Sequence, residues 1–177
     1  MDLLEDLAGR MGMDRVPEIV VVEGEKCATR GERILIGEDI VNGKRELLEF
    51  MLAHELSHVK NEHSRKKLIL EGLCALAVLA NIWAFFLYSL PLILPVLVVR
   101  RVVIEFWEVQ ANVEGAKAVG VRKAIEAMED FTADYRLVDY ILEPVRRLFV
   151  RFALSLYLWL YPENRFTALR LYVREIL

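Results

Sequence analysis

Cysteine, histidine and surplus charge are all scarce in this sequence of 177 residues, and each shortage excludes something. Two cysteines, Cys27 and Cys74, are too few for a disulfide framework. They read as free thiols of a reducing compartment. Acidic residues number 26 against 23 basic ones, and the net charge of −3 argues against nucleic acid as a partner. No internal repeat or low-complexity tract is present, and the length suits one domain with an appendage. The opening Met1-Asp2-Leu3-Leu4-Glu5-Asp6 is acidic and amphipathic, unlike a signal peptide. Only three histidines occur, yet two of them stand four residues apart.

Apolar residues are abundant. They make up 55% of the chain and the mean hydropathy is +0.31, although 28% of residues are charged. The two classes are segregated: Glu71 is the only charge from Leu68 to Val99. Such a run exceeds the ~20 residues that span a bilayer once. Arg65, Lys66 and Lys67 precede it, and Arg100 and Arg101 follow. Basic residues mark cytoplasmic flanks, so both ends are expected on that side and the run is expected to be a hairpin bent at Ser89-Leu90-Pro91. Its first arm, 68 to 88, is long enough to span. Its second, 91 to 104, reaches only ~21 Å unless the helix continues through Phe106 and Trp107. A re-entrant hairpin stays open as an alternative. The expected location is the cell membrane, with a lipid bilayer as partner.

Within His54-Glu55-Leu56-Ser57-His58 the two histidines share one face of an expected helix from 43 to 62, marked by Leu47, Leu48, Met51, Leu52, Leu56 and Val59. Neutral imidazoles at that spacing suit zinc, whose catalytic sites take three protein ligands and leave a fourth position for water. Glu55 lies at the flank of the face, where it can take a proton from the attacking water. This is the H-E-x-x-H signature of zinc proteases. A third ligand is then required, and Glu105 and Glu108 are the candidates. Glu108 is favoured, because Asn112 lies one turn on and Ala111, Gly115 and Ala118 form a small-residue track that lets a second helix press close. Glu105 reads as a charge at the membrane interface.

The remaining elements are legible in outline. A short helix is expected over 2 to 11, strands over 18–23, 26–30 and 33–36, and a helix over 102–119. A further amphipathic helix is marked by Val121, Ile125, Met128, Tyr135, Val138 and Leu142 and expected to stop near Pro144. The apolar stretch Phe152–Tyr161, bordered by Arg146, Arg147 and Arg151, suits an interfacial or partner-packed helix. A last helix is expected from Pro162. The fold class is therefore α+β: a mainly helical zincin-like core, a small N-terminal antiparallel sheet and a membrane-embedded hairpin. Three parts divide it: 1–64, the hairpin 65–104, and 105–177.

From about residue 3 to residue 120 the chain resembles the membrane zinc metallopeptidases that include HtpX and the type-one CAAX prenyl protease. The resemblance rests on Pro17-Glu18-Ile19-Val20-Val21-Val22, Cys27-Ala28-Thr29, Leu52-Ala53-His54-Glu55-Leu56-Ser57-His58 and Glu108-Val109-Gln110-Ala111-Asn112. His63 matches a histidine often found five residues after the second ligand. The resemblance implies zinc held by His54, His58 and Glu108, Glu55 as general base, and a peptide or protein substrate lying along a strand edge near Cys27 to Arg30. It also implies an arginine that stabilises the oxyanion, for which Arg165 in Tyr161-Pro162-Glu163-Asn164-Arg165 is the nearest match. Three departures stand out: Asn112 replaces the usual aspartate, Tyr161 replaces a histidine, and two N-terminal spans are lacking. Two other readings are a metal-binding scaffold of weak proteolytic power and a soluble helical interaction protein. The expected role is that of a zinc endopeptidase in membrane-protein quality control.

Overall fold

A computed structural model describes residues 3–23, 27–84, 89–131 and 137–176, with side chains described outside 84–92, 130–144 and 173–177. The chain is mainly helical with one three-stranded sheet, an α+β arrangement. Helix α1 (Leu3–Arg10) buries Leu4, Leu7 and Ala8. Strands β1 (Glu18–Val22), β2 (Cys27–Arg30) and β3 (Arg33–Gly37) follow, then a short helix α2 (Glu38–Val41). The histidine helix is α3 (Arg45–Lys60). Helices α4 (His63–Ala84) and α5 (Ser89–Val119) form the hairpin arms, and α6 (Val121–Phe131), α7 (Leu137–Leu160) and α8 (Arg165–Ile176) complete the chain.

The sheet is mixed rather than antiparallel. Its order is β1-β3-β2, with β2 antiparallel and β1 parallel to β3. β3 takes the centre because it is the most deeply buried strand, with Ile34 and Ile36 fully enclosed. Burial of each such side chain stabilises the fold by roughly 1.5–3 kcal/mol. A two-residue turn fixes β2 on one edge. Its first residue, Gly31, has φ +62°, as a II′ hairpin requires. β1 must then take the other edge, where it runs the same way as β3. The turn also decides which groups β2 turns away from β3: Arg30 pairs with Arg33 and Ala28 with Leu35, so the main-chain groups of Cys27 and Thr29 point to the outer edge, where the Thr29 carbonyl accepts from Ser64 Oγ at 3.4 Å.

Two helix boundaries differ from the sequence pattern. The second hairpin arm and the helix expected over 102–119 are one helix, α5, whose 31 residues span ~46 Å. Pro91 falls in its first turn, where proline is tolerated, and the expected bend adjoins residues 85–88, outside the described residues. Pro144 lies inside α7 instead of ending a helix. Beyond it Val150, Ala153, Leu154 and Tyr157 belong to the buried core, and that apolar face carries the helix through. Tyr135, taken from the sequence as a helix marker, lies outside the described residues, as do the side chains of Val138 and Leu142. Pro162 opens a 3-10 turn, Pro162–Asn164, just before α8.

The core gathers around the crossing of α3 and α5. Phe50, Leu52, Ala53 and Leu56 pack with Val109, Val113 and Ala116; α6 adds Ala124 and Ala127, and α7 and α8 add Leu154, Tyr157, Ala168 and Tyr172 around them. On α4 and α5, by contrast, Leu73, Leu76, Leu79, Trp83, Leu94 and Leu97 are exposed, Trp83 by 91%. Glu71 pairs with Arg100 between the two arms, with Nε to Oε2 at 2.8 Å. Among the described residues, no helix is long and apolar enough to cross a membrane.

At the crossing, a Cβ on Gly115 would lie 3.2 Å from the His54 nitrogen and 3.4 Å from the Ala53 carbonyl carbon. Backbone cannot yield as a side-chain tip does. Gly115→Val is therefore expected to lower stability by roughly 1–3 kcal/mol, even though most residues outrank glycine in a helix interior. Thermal melting checks this, and an unchanged midpoint would show that the helices have room to spare.

Candidate metal centre

One turn of α3 separates His54 from His58, and their Nε2 atoms face each other at 3.0 Å. α5 brings the Glu108 carboxylate opposite them, with Oε2 3.5 Å from His54 Nε2 and 3.6 Å from His58 Nε2. Among the described residues these three form the one group of histidine, cysteine and carboxylate atoms able to hold a metal ion. Bonds of about 2.0–2.1 Å in a tetrahedron place neighbouring donors about 3.3 Å apart, so the donor set fits zinc without rearrangement.

Electrostatics agree with that geometry. Burial works to raise the Glu108 carboxyl, but hydrogen bonds and charge from His54 and His58 outweigh it and hold the group well below the usual carboxylate range. Burial likewise opposes a charged His54, and Glu108, Glu55 and Asn112 together shift it upward. His63 is pushed down to about 4, chiefly by burial and then by His58 and Lys66.

Each ligand ring is gripped from behind. His54 Nδ1 lies 2.8 Å from Asn112 Oδ1, and Asn112 Nδ2 donates to the Tyr172 hydroxyl at 2.7 Å. His58 Nδ1 lies 2.8 Å from His63 Nδ1. Such partners fix ring orientation and tautomer in metal sites. Asparagine supplies the acceptor that aspartate would, without the charge.

Glu55 is buried beside β2, where Thr29 Oγ1 donates to its Oε2 at 2.7 Å and reaches its main-chain oxygen at 3.2 Å. Cys27 lies against the same carboxylate, and burial, reinforced by Glu55, pushes its thiol far up. The thiol therefore stays protonated and does not compete for metal. These groups line a cavity of about 490 Å³ that also reaches Trp107, Arg146 and Tyr172.

The structure thus brings His54, Glu55, His58 and Glu108 into one cavity. Glu105 also lines it, but is buried and paired with Arg101 one turn earlier on α5. Arg165 is exposed at the start of α8 and does not line the cavity. Its neighbour Asn164 turns inward instead and donates to the Tyr157 hydroxyl at 2.8 Å. Among the described residues the arginine that does reach the cavity is Arg146. It escaped the sequence reading as the border of an apolar stretch, although its spacing of four from buried Val150 was the available signal. Tyr172 was missed too, for it looks like any other core aromatic.

Glu108→Ala should lose zinc by more than the roughly 10–100-fold typical of losing a group behind a ligand. Glu105→Ala should leave affinity within a few-fold. Metal content after dialysis separates the two, and the reverse ranking would transfer the ligand role to Glu105.

Searches of the curated proteins and of the solved structures find no match to the chain. A family model does match: that of peptidase family M48, over residues 2–123. This span carries α3, the hairpin and Glu108, and so the whole donor set. The chain belongs to peptidase family M48, a family of metallopeptidases.

Proposed function

We propose that this protein is a zinc-dependent endopeptidase that hydrolyses peptide bonds at the face of a membrane. The observation that carries the reading is the convergence of three donor atoms, a buried carboxylate and an open strand edge on one cavity. His54 Nε2, His58 Nε2 and Glu108 Oε2 would hold the ion. When bound, zinc supplies Lewis acidity, polarising the scissile carbonyl and making water a better nucleophile at neutral pH.

The rest of the chemistry belongs to side chains. Glu55 takes the proton of the attacking water and passes it to the leaving amine. Thr29 fixes one carboxylate oxygen and so aims the other. The outward main-chain groups of Cys27 and the Thr29 N–H offer hydrogen bonds to an extended peptide, which would add a strand to the sheet beside Glu55 and displace Ser64 from the Thr29 carbonyl. Such a contact reads backbone and tolerates many side chains, as suits a protease of membrane-protein quality control. Arg146, lining the same cavity, is better placed than Arg165 to stabilise the oxyanion.

The hairpin is the proposed membrane element. Its support is the uncharged sequence from Gly72 to Val99 and the exposed leucines of both arms. Exposed apolar surface on this scale marks an interaction site. The Glu71–Arg100 pair removes the one isolated charge of the run. Both bases of the hairpin, and with them the metal centre, would then face the cytoplasm.

Glu55→Gln should retain zinc and lose about 10²–10⁴ in kcat against an unfolded protein substrate. Cleavage at the parent rate would rule out Glu55 as the base. For topology, Ser64→Cys and Val102→Cys, each in a chain with Cys27 and Cys74 replaced, should react with the same impermeant thiol reagent from the same side of sealed vesicles. Reaction from opposite sides would exclude the hairpin, and recovery in the soluble fraction without detergent would exclude membrane attachment.

A further inference from the structure

We infer that His63 is a positioning residue for the metal centre: its Nδ1 accepts the Nδ1–H of His58 and keeps the Nε2 lone pair of that ring turned toward the ion. The inference rests on the metallopeptidase reading above. Its logic is a count of protons. A neutral imidazole carries one N–H, and a ring that ligates through Nε2 must carry it on Nδ1. The two Nδ1 atoms are 2.8 Å apart, which leaves room for one hydrogen between them. His63 must therefore present a lone pair at Nδ1 and hold its own proton on Nε2. With a proton on its Nδ1, His63 would force the His58 proton onto Nε2, where it blocks the ion.

The surroundings hold His63 in that form. The residue is 3% exposed and its ring stacks on Trp107 at 5.6 Å with a 20° tilt. Among the described residues its Nε2 makes no hydrogen bond, so no carboxylate accepts from that nitrogen.

The backbone is bent to deliver this ring. Five residues after His58, a continuous helix would carry His63 off the ligand face. α3 instead ends at Lys60; the side-chain amide of Asn61, which caps it, donates to the Ser57 carbonyl and to Glu114, and Glu62 adopts φ +52°. A non-glycine residue is strained there, and such conformations persist where the surroundings over-determine them and cluster at functional sites. The kink starts α4 at His63 and turns its ring back onto His58. Asn112 serves His54 from the other side, so both ligand rings lean on uncharged acceptors. Glu108 is left as the one anion of the donor set.

The test is zinc affinity, by competition with a chelator, in the parent, His63→Phe and His63→Asn. Phenylalanine keeps the stack on Trp107 and removes the acceptor, and should weaken binding 10–100-fold. Asparagine restores an oxygen near the Nδ1 position and should recover most of that loss, which a purely packing role would not predict. In the zinc-loaded parent labelled with ¹⁵N-histidine, a through-hydrogen-bond coupling should link the two Nδ1 atoms, with the His63 proton on Nε2. This measurement needs no substitution and decides the matter if His63→Phe fails to fold. His63→Phe binding as tightly as the parent, or a His63 proton on Nδ1, overturns the positioning role alone. A parent that takes up no zinc overturns the metallopeptidase reading and this inference with it.

Discussion

Where α5 crosses α3, Gly115 offers only a hydrogen to the backbone of Ala53 and His54, and the helices meet closer than side chains normally allow. Glu108, Asn112 and Gly115 follow at four and three along α5, one stripe on one face. The approach made at Gly115 therefore also sets how far Glu108 and Asn112 lie from the histidines. On the neighbouring face Glu114 locks the crossing, accepting from Ser57 at 3.0 Å, Asn61 at 2.9 Å and Gln110 at 3.0 Å. A glycine contact and a triply bonded carboxylate, adjacent in sequence, hold the geometry of the donor set.

The polar groups around the centre divide into two tasks. Carboxylates face the cavity: Glu108 toward the two histidines and Glu55 toward Thr29 on β2. Neutral groups face the histidines from behind. Burying further carboxylates there would cost desolvation unless each were well paired. Asn112 with Tyr172, and His63 with Trp107, avoid that cost and still fix both rings.

Much of this was legible in the sequence, for a physical reason. Ligand spacing and helical period are local, so His54, Glu55, His58 and the small residues after Glu108 declare themselves along the chain. Groups supplied by tertiary structure do not. Arg146 and Tyr172 reach the cavity through the packing of α7 and α8, and Arg165 was read by analogy at a place where Asn164 takes the inward position. The sheet was misread because strand order is not local: a turn tied β2 to β3, but nothing in the sequence said that β1 would lie on the far side. The passage of α7 through Pro144 likewise depends on a buried face that outweighs proline's preference. His63 shows the reverse case, in which a helix expected to reach 62 stopped at Lys60 and changed what the residue can touch.

The forty-nine residues between His58 and Glu108 also order events in time. A ribosome delivers the two histidines and the general base well before the third ligand, and Tyr172 later still. Until α5 has folded back against α3, a nascent chain has two of three donors and a poor hold on any ion. The three-donor centre thus becomes complete only with tertiary closure.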